Sequence, residues 1–224
     1  MKVIDLTHTI AESMPVYPGT EGPLLTPGSS YEQDGFRETI LTFFSHTGTH
    51  MDAPNHLFLH RPNLDDLPIQ QFVGSALVID CSDVGEGELV TLEHLAPYGE
   101  AVDAAEFLLF YTGWSRFWGQ EAYFGDYPCL DFPVVDYLIR AKKKGVGLDT
   151  IGIDPIADRN LTRHRMLFAQ TDIVVIENLT NLEQLGRNLV TFMALPVKFQ
   201  QSDGAPVRAI GILEAPNLAW PHGV

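Results

Sequence analysis

The segment Ser45-His46-Thr47-Gly48-Thr49-His50-Met51-Asp52-Ala53-Pro54-Asn55-His56 gathers three of the chain's eight histidines and a carboxylate into eleven positions. Neutral imidazoles and a carboxylate suit zinc, manganese or ferrous iron, and a donor set without thiolates points to a catalytic centre rather than a structural clip. His46, His50, Asp52 and His56 all stand at even positions. A straight strand would show them on one face but hold His46 and His50 about 13 Å apart, whereas ligands at roughly 2.0 to 2.2 Å from one ion must converge. A helix would bring residues four apart together, yet Thr47, Gly48, Thr49 and the following Pro54 oppose regular helix. A bend remains. Gly48 adopts positive φ cheaply, so the chain can leave a strand ending near Phe44, turn over Thr47-Gly48-Thr49 and aim both imidazoles at one point, with Asp52 on the same side.

The elements that must position this segment are mostly strands. Apolar runs at Val3 to Leu6, Glu38 to Phe44, Ala76 to Asp80, Phe107 to Tyr111, Thr150 to Ile153, Ile173 to Ile176, Leu189 to Ala194 and Ala209 to Leu213 fit strand length and composition. Several are continuously apolar, which suits a sheet covered on both faces, but strands outnumber helices too heavily for a regular βαβ winding. One helix is predicted to start at Asp131 with Pro133 in its first turn and to run to Lys142-Lys143-Lys144, whose charges would face the negative end of its dipole. A second is predicted over Leu161 to Ala169 and a shorter one over Leu92 to Ala96. Tyr17 to Gly35, rich in Pro and Gly, reads as a loop. The pattern predicts a mixed α/β fold with a largely β core, barrel-like or of a swivelling β/β/α kind, with a few flanking helices. No linker divides the chain, so residues 1–224 are read as one domain.

Fourteen Lys and Arg against 29 Asp and Glu give a formal net charge of -15, which repels nucleic acid and anionic lipid and leaves a small molecule as the expected partner. The opening Met-Lys-Val-Ile-Asp-Leu-Thr-His lacks the apolar core of a secretory signal, and no apolar run approaches the ~20 residues of a membrane span, so a cytoplasmic location is expected. Cys81 and Cys129 have no Cys-x-x-Cys spacing and read as buried or free thiols. No Gly-x-Ser-x-Gly elbow supports a serine nucleophile.

The stretch from His46 to His56 resembles the signature His-x-Gly-Thr-His-x-Asp-x-Pro-x-His of the metal-dependent cyclase family, which includes bacterial-type kynurenine formamidases and isatin hydrolases. Weaker matches run along most of the chain: Asp5-Leu6-Thr7-His8, Met14-Pro15-Val16-Tyr17-Pro18-Gly19, Thr112-Gly113-Trp114-Ser115 and Asp203-Gly204-Ala205-Pro206-Val207-Arg208. A further match is His164 with Ile176-Glu177-Asn178-Leu179, similar to the family's second set of metal ligands. From the residues alone, His164 would be solvent-facing on a helix and Glu177 an ordinary strand end. The resemblance implies instead that His46, His50 and Asp52 hold one divalent metal, zinc or manganese, with Glu177 close by. Asp52, His56, His164 and Glu177 would surround a second position, with one or two ions per subunit. It also implies a homodimer or homotetramer in which a neighbour's segment lies near the pocket, with residues 17–35 as the candidate segment.

A divalent ion moves the pKa of bound water from about 15.7 towards 7 and polarises a carbonyl. With His56 as general base and acid, hydrolysis of an amide follows. The resemblance implies small aromatic or cyclic amides: an N-formyl aryl amide of the N-formylkynurenine type, or the lactam of isatin. Tyr17, Phe43, Phe58 and Trp114, with Trp118, are the candidate stacking residues for such a substrate. Two departures from the family pattern bear on the pocket. His56 is followed by Leu57-Phe58-Leu59-His60 where His-Phe is common, and Pro155-Ile156-Ala157-Asp158 replaces a Ser-x-Asp. A lyase or dehydratase using the same centre, or a metal-binding module without turnover, are the alternatives from other classes.

Overall fold

Strands that are apolar at every position must bury both faces, and here they form the wall of a closed barrel. A computed structural model describes residues 1–213. Its strands are β1 (Lys2–Asp5), β2 (Leu24–Ser29), β3 (Glu38–Thr42), β4 (His50–Asp52), β5 (Val73–Asp80), β6 (Leu89–Val90), β7 (Phe107–Tyr111), β8 (Cys129–Leu130), β9 (Gly145–Leu148), β10 (Val174–Glu177), β11 (Val190–Pro196) and β12 (Gly204–Leu213). Hydrogen bonding runs β12-β11-β5-β7-β9-β10-β4, and β4 pairs back onto β12 to close the ring, with β1 added along the outer half of β12. The β5-β7-β9-β10 run is parallel and the remaining pairings of the ring are antiparallel.

Alternation sorts each parallel strand between two cores. Ala76, Val78, Phe107, Leu109, Val174 and Ile176 pack in one with Phe192 and Met51. Their neighbours Leu77, Ile79, Leu108, Phe110, Val146 and Val175 pack in a second. Helices α3 (Phe132–Arg140) and α4 (Thr162–Gln170) cover that second core through Val134, Val135, Leu138, Leu167 and Phe168. Two shorter helices, α1 (Tyr31–Asp34) and α2 (Glu100–Ala104), complete the set. The predicted β-rich α/β barrel is therefore the observed architecture.

Four local expectations are corrected. The strand placed at Thr150 to Ile153 lies earlier, at β9, because inward positions of β9 are glycines: a Cβ at Gly145 would collide with Phe107, and one at Gly147 with Leu179 and Leu109. Residues 17–35 are not all loop, since β2 pairs with β3 outside the barrel and α1 lies in the connection between them. Pro27 and Gly28 sit at the register shift of that pair, where an edge strand tolerates them. The short helix at Leu92 to Ala96 resolves into two 3-10 turns, Leu92–His94 and Ala96–Tyr98. The lysine run does not end α3, which stops at Arg140. Lys143 is buried and donates to the carbonyls of Val102, Asp103 and Ala105, capping α2 instead. Lys144 reaches the Gln70 and Val73 carbonyls and pairs with Glu106.

Candidate metal centre

At the rim where β4 meets β10 and β12, His50 stands opposite Glu177 and Asp52 opposite Gly204. The chain arrives there through the anticipated bend, with Gly48 at φ 67°. Its carbonyl accepts from His50 Nδ1 at 2.9 Å and from Asn178 Nδ2 at 2.8 Å. That fixes the His50 tautomer and turns its Nε2 lone pair inward. Nε2 lies 3.2 Å from Asp52 Oδ1 and 3.5 Å from Glu177 Oε2. His46 Nδ1 is 2.6 Å from the same Asp52 oxygen. The second Asp52 oxygen faces His164 Nε2 at 3.1 Å, and that nitrogen is 3.3 Å from Glu177 Oε1.

The groups around Asp52 are held from behind. His164 Nδ1 donates to Asp154 at 2.8 Å, and Asp154 also accepts the backbone N–H of Arg163 and His164 in the first turn of α4. Glu177 Oε1 accepts the Ile153 N–H at 2.8 Å. Asn178, at φ 58°, takes the Tyr123 hydroxyl on its side-chain oxygen and the Thr49 hydroxyl on its backbone carbonyl. One residue thus ties the end of β10 to the Gly48 turn. A Cβ at position 204 would collide with the His46 ring, so Gly204 is what lets that imidazole lie against the barrel wall.

The donor chemistry fits divalent metal on three sets of residues, of which the most exposed is His46, His56 and Asp203. Ligand atoms of His46, His50 and Asp52 lie within 4.8 Å of one another, as do those of Asp52, His164 and Glu177, so Asp52 is common to both. The electrostatics ask for positive charge in the same place. Burial alone would push the Asp52 carboxyl up, but the facing His46, His50 and His164 outweigh it and hold it well below the usual carboxylate range. Burial likewise opposes protonation of His46 and His164, yet the carboxylates win. His46 rises to about 10 against Asp52 and Asp203, and His164 rises well above its usual value against Asp154, Asp52 and Glu177. Two carboxylates, Asp52 and Glu177, both at most 5% exposed, need cations between them.

His56, which the resemblance places at the second position, has its ring centroid 6.3 Å from that of His164 and groups more closely with His46 and Asp203. It stands with His46 and with Asp203: the two imidazole centroids are 4.1 Å apart, and His56 Nδ1 is 3.7 Å from Asp203 Oδ2. His46 Nε2 donates to the same carboxylate oxygen at 3.0 Å. Burial pushes the His56 imidazole down, with Asp52 opposing, and the hydrogen bond from His46 pulls the Asp203 carboxyl down to about 2.

These groups open into a cavity of about 570 Å³ whose apolar wall includes Met14, Pro15, Val16, Tyr17, Phe44 and Leu161. Of the aromatics expected to stack on substrate, Tyr17 lines it. Phe43 is not among the lining residues, and its neighbour Phe44 is. Phe58 packs against the outer core, with Arg165 over its ring. Trp114 is buried in a separate aromatic cluster, its indole N–H donating to the Tyr123 carbonyl. Trp118 stacks on His8. The residues missed from sequence are Asp154 and Asp203. The one ends the apolar run Ile151 to Ile153, and the other opens the weak Asp-Gly-Ala-Pro-Val-Arg match.

A closed barrel carrying imidazoles and shared carboxylates at its rim defines a metal-dependent hydrolase. The Cyclase family model matches residues 4–155, and the chain belongs to that family. A kynurenine formamidase of Geobacillus thermodenitrificans is 30% identical over 211 residues, covering 92% of this chain and 95% of its own. Isatin hydrolase A from Ralstonia solanacearum superposes with a TM-score of 0.83 at 26% identity, covering 95% of this chain and 92% of its own. A "potential metal-dependent hydrolase with cyclase activity" superposes at 0.76 with 27% identity, covering 94% and 96%.

Proposed function

We propose that this protein hydrolyses a small aromatic or cyclic amide, an N-formyl aryl amide of the N-formylkynurenine type first and an isatin-type lactam second. The observation that carries the reading is the sharing of Asp52 between two buried or half-buried ligand sets, while His56 stands in a third, more open set with His46 and Asp203. His46, His50 and Asp52 would hold one zinc or manganese ion, and Asp52, His164 and Glu177 a second. An ion bound there supplies Lewis acidity to a carbonyl and acidifies water.

The chain's own residues supply the rest. His56, neutral near pH 7 because burial lowers its pKa, takes a proton from water and passes it to the leaving nitrogen. Its Nδ1 lies 3.7 Å from Asp203 Oδ2, a carboxylate that stabilises the imidazolium when the proton is held. Tyr17 and Phe44 offer ring faces to an aryl group, and the surrounding apolar wall excludes bulk water. The lactam reading is favoured by the likeness to isatin hydrolase A.

The test is metal analysis of the purified protein followed by assay of N-formylkynurenine and isatin with added zinc or manganese, in isotopically labelled water. Label in the released formate or the opened acid is expected. Turnover of 2-hydroxy or β-keto acids without label would mark a lyase instead, and stoichiometric metal without any turnover a binding module.

Our reading extends to assembly and place. The β2–β3 hairpin exposes Leu24, Ile40 and Leu41, each more than half accessible, beside Phe44 at the cavity. A homodimer or homotetramer would cover that apolar surface. Light scattering giving 24.9 kDa would refute it. No helix of the described residues is long and apolar enough to cross a membrane, and with the net charge of -15 this supports a cytoplasmic enzyme that binds neither membrane nor nucleic acid, testable by fractionation.

A further inference from the structure

His46 presents one ring nitrogen to each of two carboxylates. Its Nδ1 lies 2.6 Å from Asp52 Oδ1, and its Nε2 lies 3.0 Å from Asp203 Oδ2. In the proposed reaction His46 holds the first ion on the Asp52 side, and the Asp203 side is left without a cation. Yet His56 stands on that outer side, its ring centroid 4.1 Å from that of His46. Ligand atoms of His46, His56 and Asp203 lie within 4.8 Å of one another, which repeats the two imidazoles and one carboxylate of the His46, His50 and Asp52 set.

Three features suit this outer set to an ion of its own. His56 Nδ1 is 3.7 Å from Asp203 Oδ2, too far for a hydrogen bond. Donors around one tetrahedral ion with bonds of about 2.1 Å sit roughly 3.4 Å apart, close to that spacing. Next, the Asp203 carboxylate has no permanent cation beside it: among the described residues only His46 and His56 come within 4.0 Å, and no Lys or Arg does. Finally, the set can be reached from solvent. The side chains of His46, His56 and Asp203 are 22%, 27% and 41% exposed, against 2% for Asp52, and a net charge of -15 raises the local concentration of cations.

We infer that His46, His56 and Asp203 form an exchangeable outer cation site, selective for zinc over manganese, whose occupation inhibits the enzyme. Binding at this site does not depend on the amidohydrolase reading; the inhibition rests on it. Selectivity follows from the donors, because imidazole favours zinc and affinity rises from manganese to zinc for a given nitrogen site. Inhibition follows from the proton. An ion on His56 Nδ1 takes the lone pair and leaves the ring hydrogen on Nε2, so neither nitrogen can accept a proton from water. At His46 the ion replaces the hydrogen that Nε2 shares with Asp203. That hydrogen leaves to solvent as a proton, and the ring then bridges the inner and outer ions. Displacing it makes the outer ion looser than the resident metal, so gel filtration strips the one and keeps the other.

The experiment is equilibrium dialysis against rising zinc, and separately manganese, of protein that has kept its resident metal through gel filtration. Wild type is expected to take up one further equivalent of zinc and none of manganese at the same concentrations. His56→Ala and Asp203→Asn should each bind that equivalent at least about tenfold more weakly. Proton NMR of wild type labelled with ¹⁵N-histidine gives a second reading, in which the His46 Nε2–H resonance should vanish in step with uptake. Turnover of N-formylkynurenine or isatin should fall at least about tenfold over the same zinc range. The site is overturned if wild type takes up no further zinc, if both variants hold it as tightly as wild type, or if the His46 Nε2–H persists once it is bound. Full turnover with the extra zinc in place would overturn the inhibition. If neither substrate is cleaved at any zinc concentration, the amidohydrolase reading falls and the inhibition with it, while dialysis and NMR still decide the site.

Discussion

Two halves of one site differ in how they are built. Asp52, His164 and Glu177 are buried, and two of them are fixed from behind, His164 by Asp154 and Glu177 by the Ile153 amide. His46, His56 and Asp203 are half-open. Their contacts are mostly with one another, and the Asp203 side chain is 41% exposed. A ligand set gains from immobility because its geometry must match the ion, whereas a proton carrier must reach both solvent and substrate. On the proposed reading the deep half holds the cation and the open half handles protons, with His46 the member that faces both.

The largest effect should come from the residue that the deep half shares with the first ligand set. Asp52→Ala removes the carboxylate at which His46, His50 and His164 converge, so bound metal should be lost and activity should fall by at least about 10³-fold. Metal content by mass spectrometry after gel filtration checks it, and a variant that still held a full complement of metal would erase the distinction between the halves.

Next in size, His56→Ala should lower kcat by about 10²- to 10⁴-fold while metal content stays at the wild-type level. Equal loss of metal from both variants would show that His56 is a ligand after all.

Removing the groups behind each half sharpens the contrast further. Asp154→Ala frees His164 Nδ1 and the start of α4, and should weaken metal affinity by about 10- to 100-fold. Asp203→Asn keeps the size but not the charge beside His56. It should change kcat by about tenfold with a smaller effect on affinity. Competition with a fluorescent chelator reports the first quantity and steady-state kinetics the second. If the two variants shifted the same parameter, the halves would have one role, not two.

The sequence exposed the two halves unequally. Ligands six positions apart or closer could be gathered by a single turn at Gly48, and the barrel wall was readable from uninterrupted apolar strands. His164 and Glu177 reach Asp52 across 112 and 125 positions, so without the family resemblance nothing local separated them from a surface histidine and a strand end. Asp154 and Asp203 were hidden for a related reason: a carboxylate in a loop is ordinary until the fold shows which imidazole it faces. Strand β9 escaped because its inward residues, Gly145 and Gly147, leave room for Phe107 and Leu179 and so erase the alternation that marks a strand. Phe44 rather than Phe43 lines the cavity because β3 ends at Thr42, beyond which period-2 alternation no longer says which side chain faces inward.

The smallest effect concerns a histidine that belongs to neither half but braces the turn between them. His8 stacks on Trp118 with ring centroids 3.9 Å apart, its backbone N–H donates to Thr49 Oγ1, and Thr49 in turn holds the Asn178 carbonyl. Its Nε2 is buried with no partner among the described residues, and burial pushes its pKa down from 6.5 to about 4. The folded protein therefore binds fewer protons at this site than the unfolded chain does between those values, so the contribution of His8 to stability is present above pH 6.5 and declines as pH falls towards 4. Because the ring is only partly shielded from water, the loss between pH 7 and 5 should be on the order of 1 kcal/mol. Titrating carboxylates affect parent and variant alike, so the quantity to measure is a difference. His8→Phe keeps the stack on Trp118 but removes the titration, and its urea unfolding free energy should gain on that of wild type by about 1 kcal/mol as the pH is lowered over that range. Parallel pH profiles for the two proteins would show that the His8 ring takes up a proton in the folded state as readily as it does unfolded, and that the brace on Thr49 does not depend on a neutral imidazole.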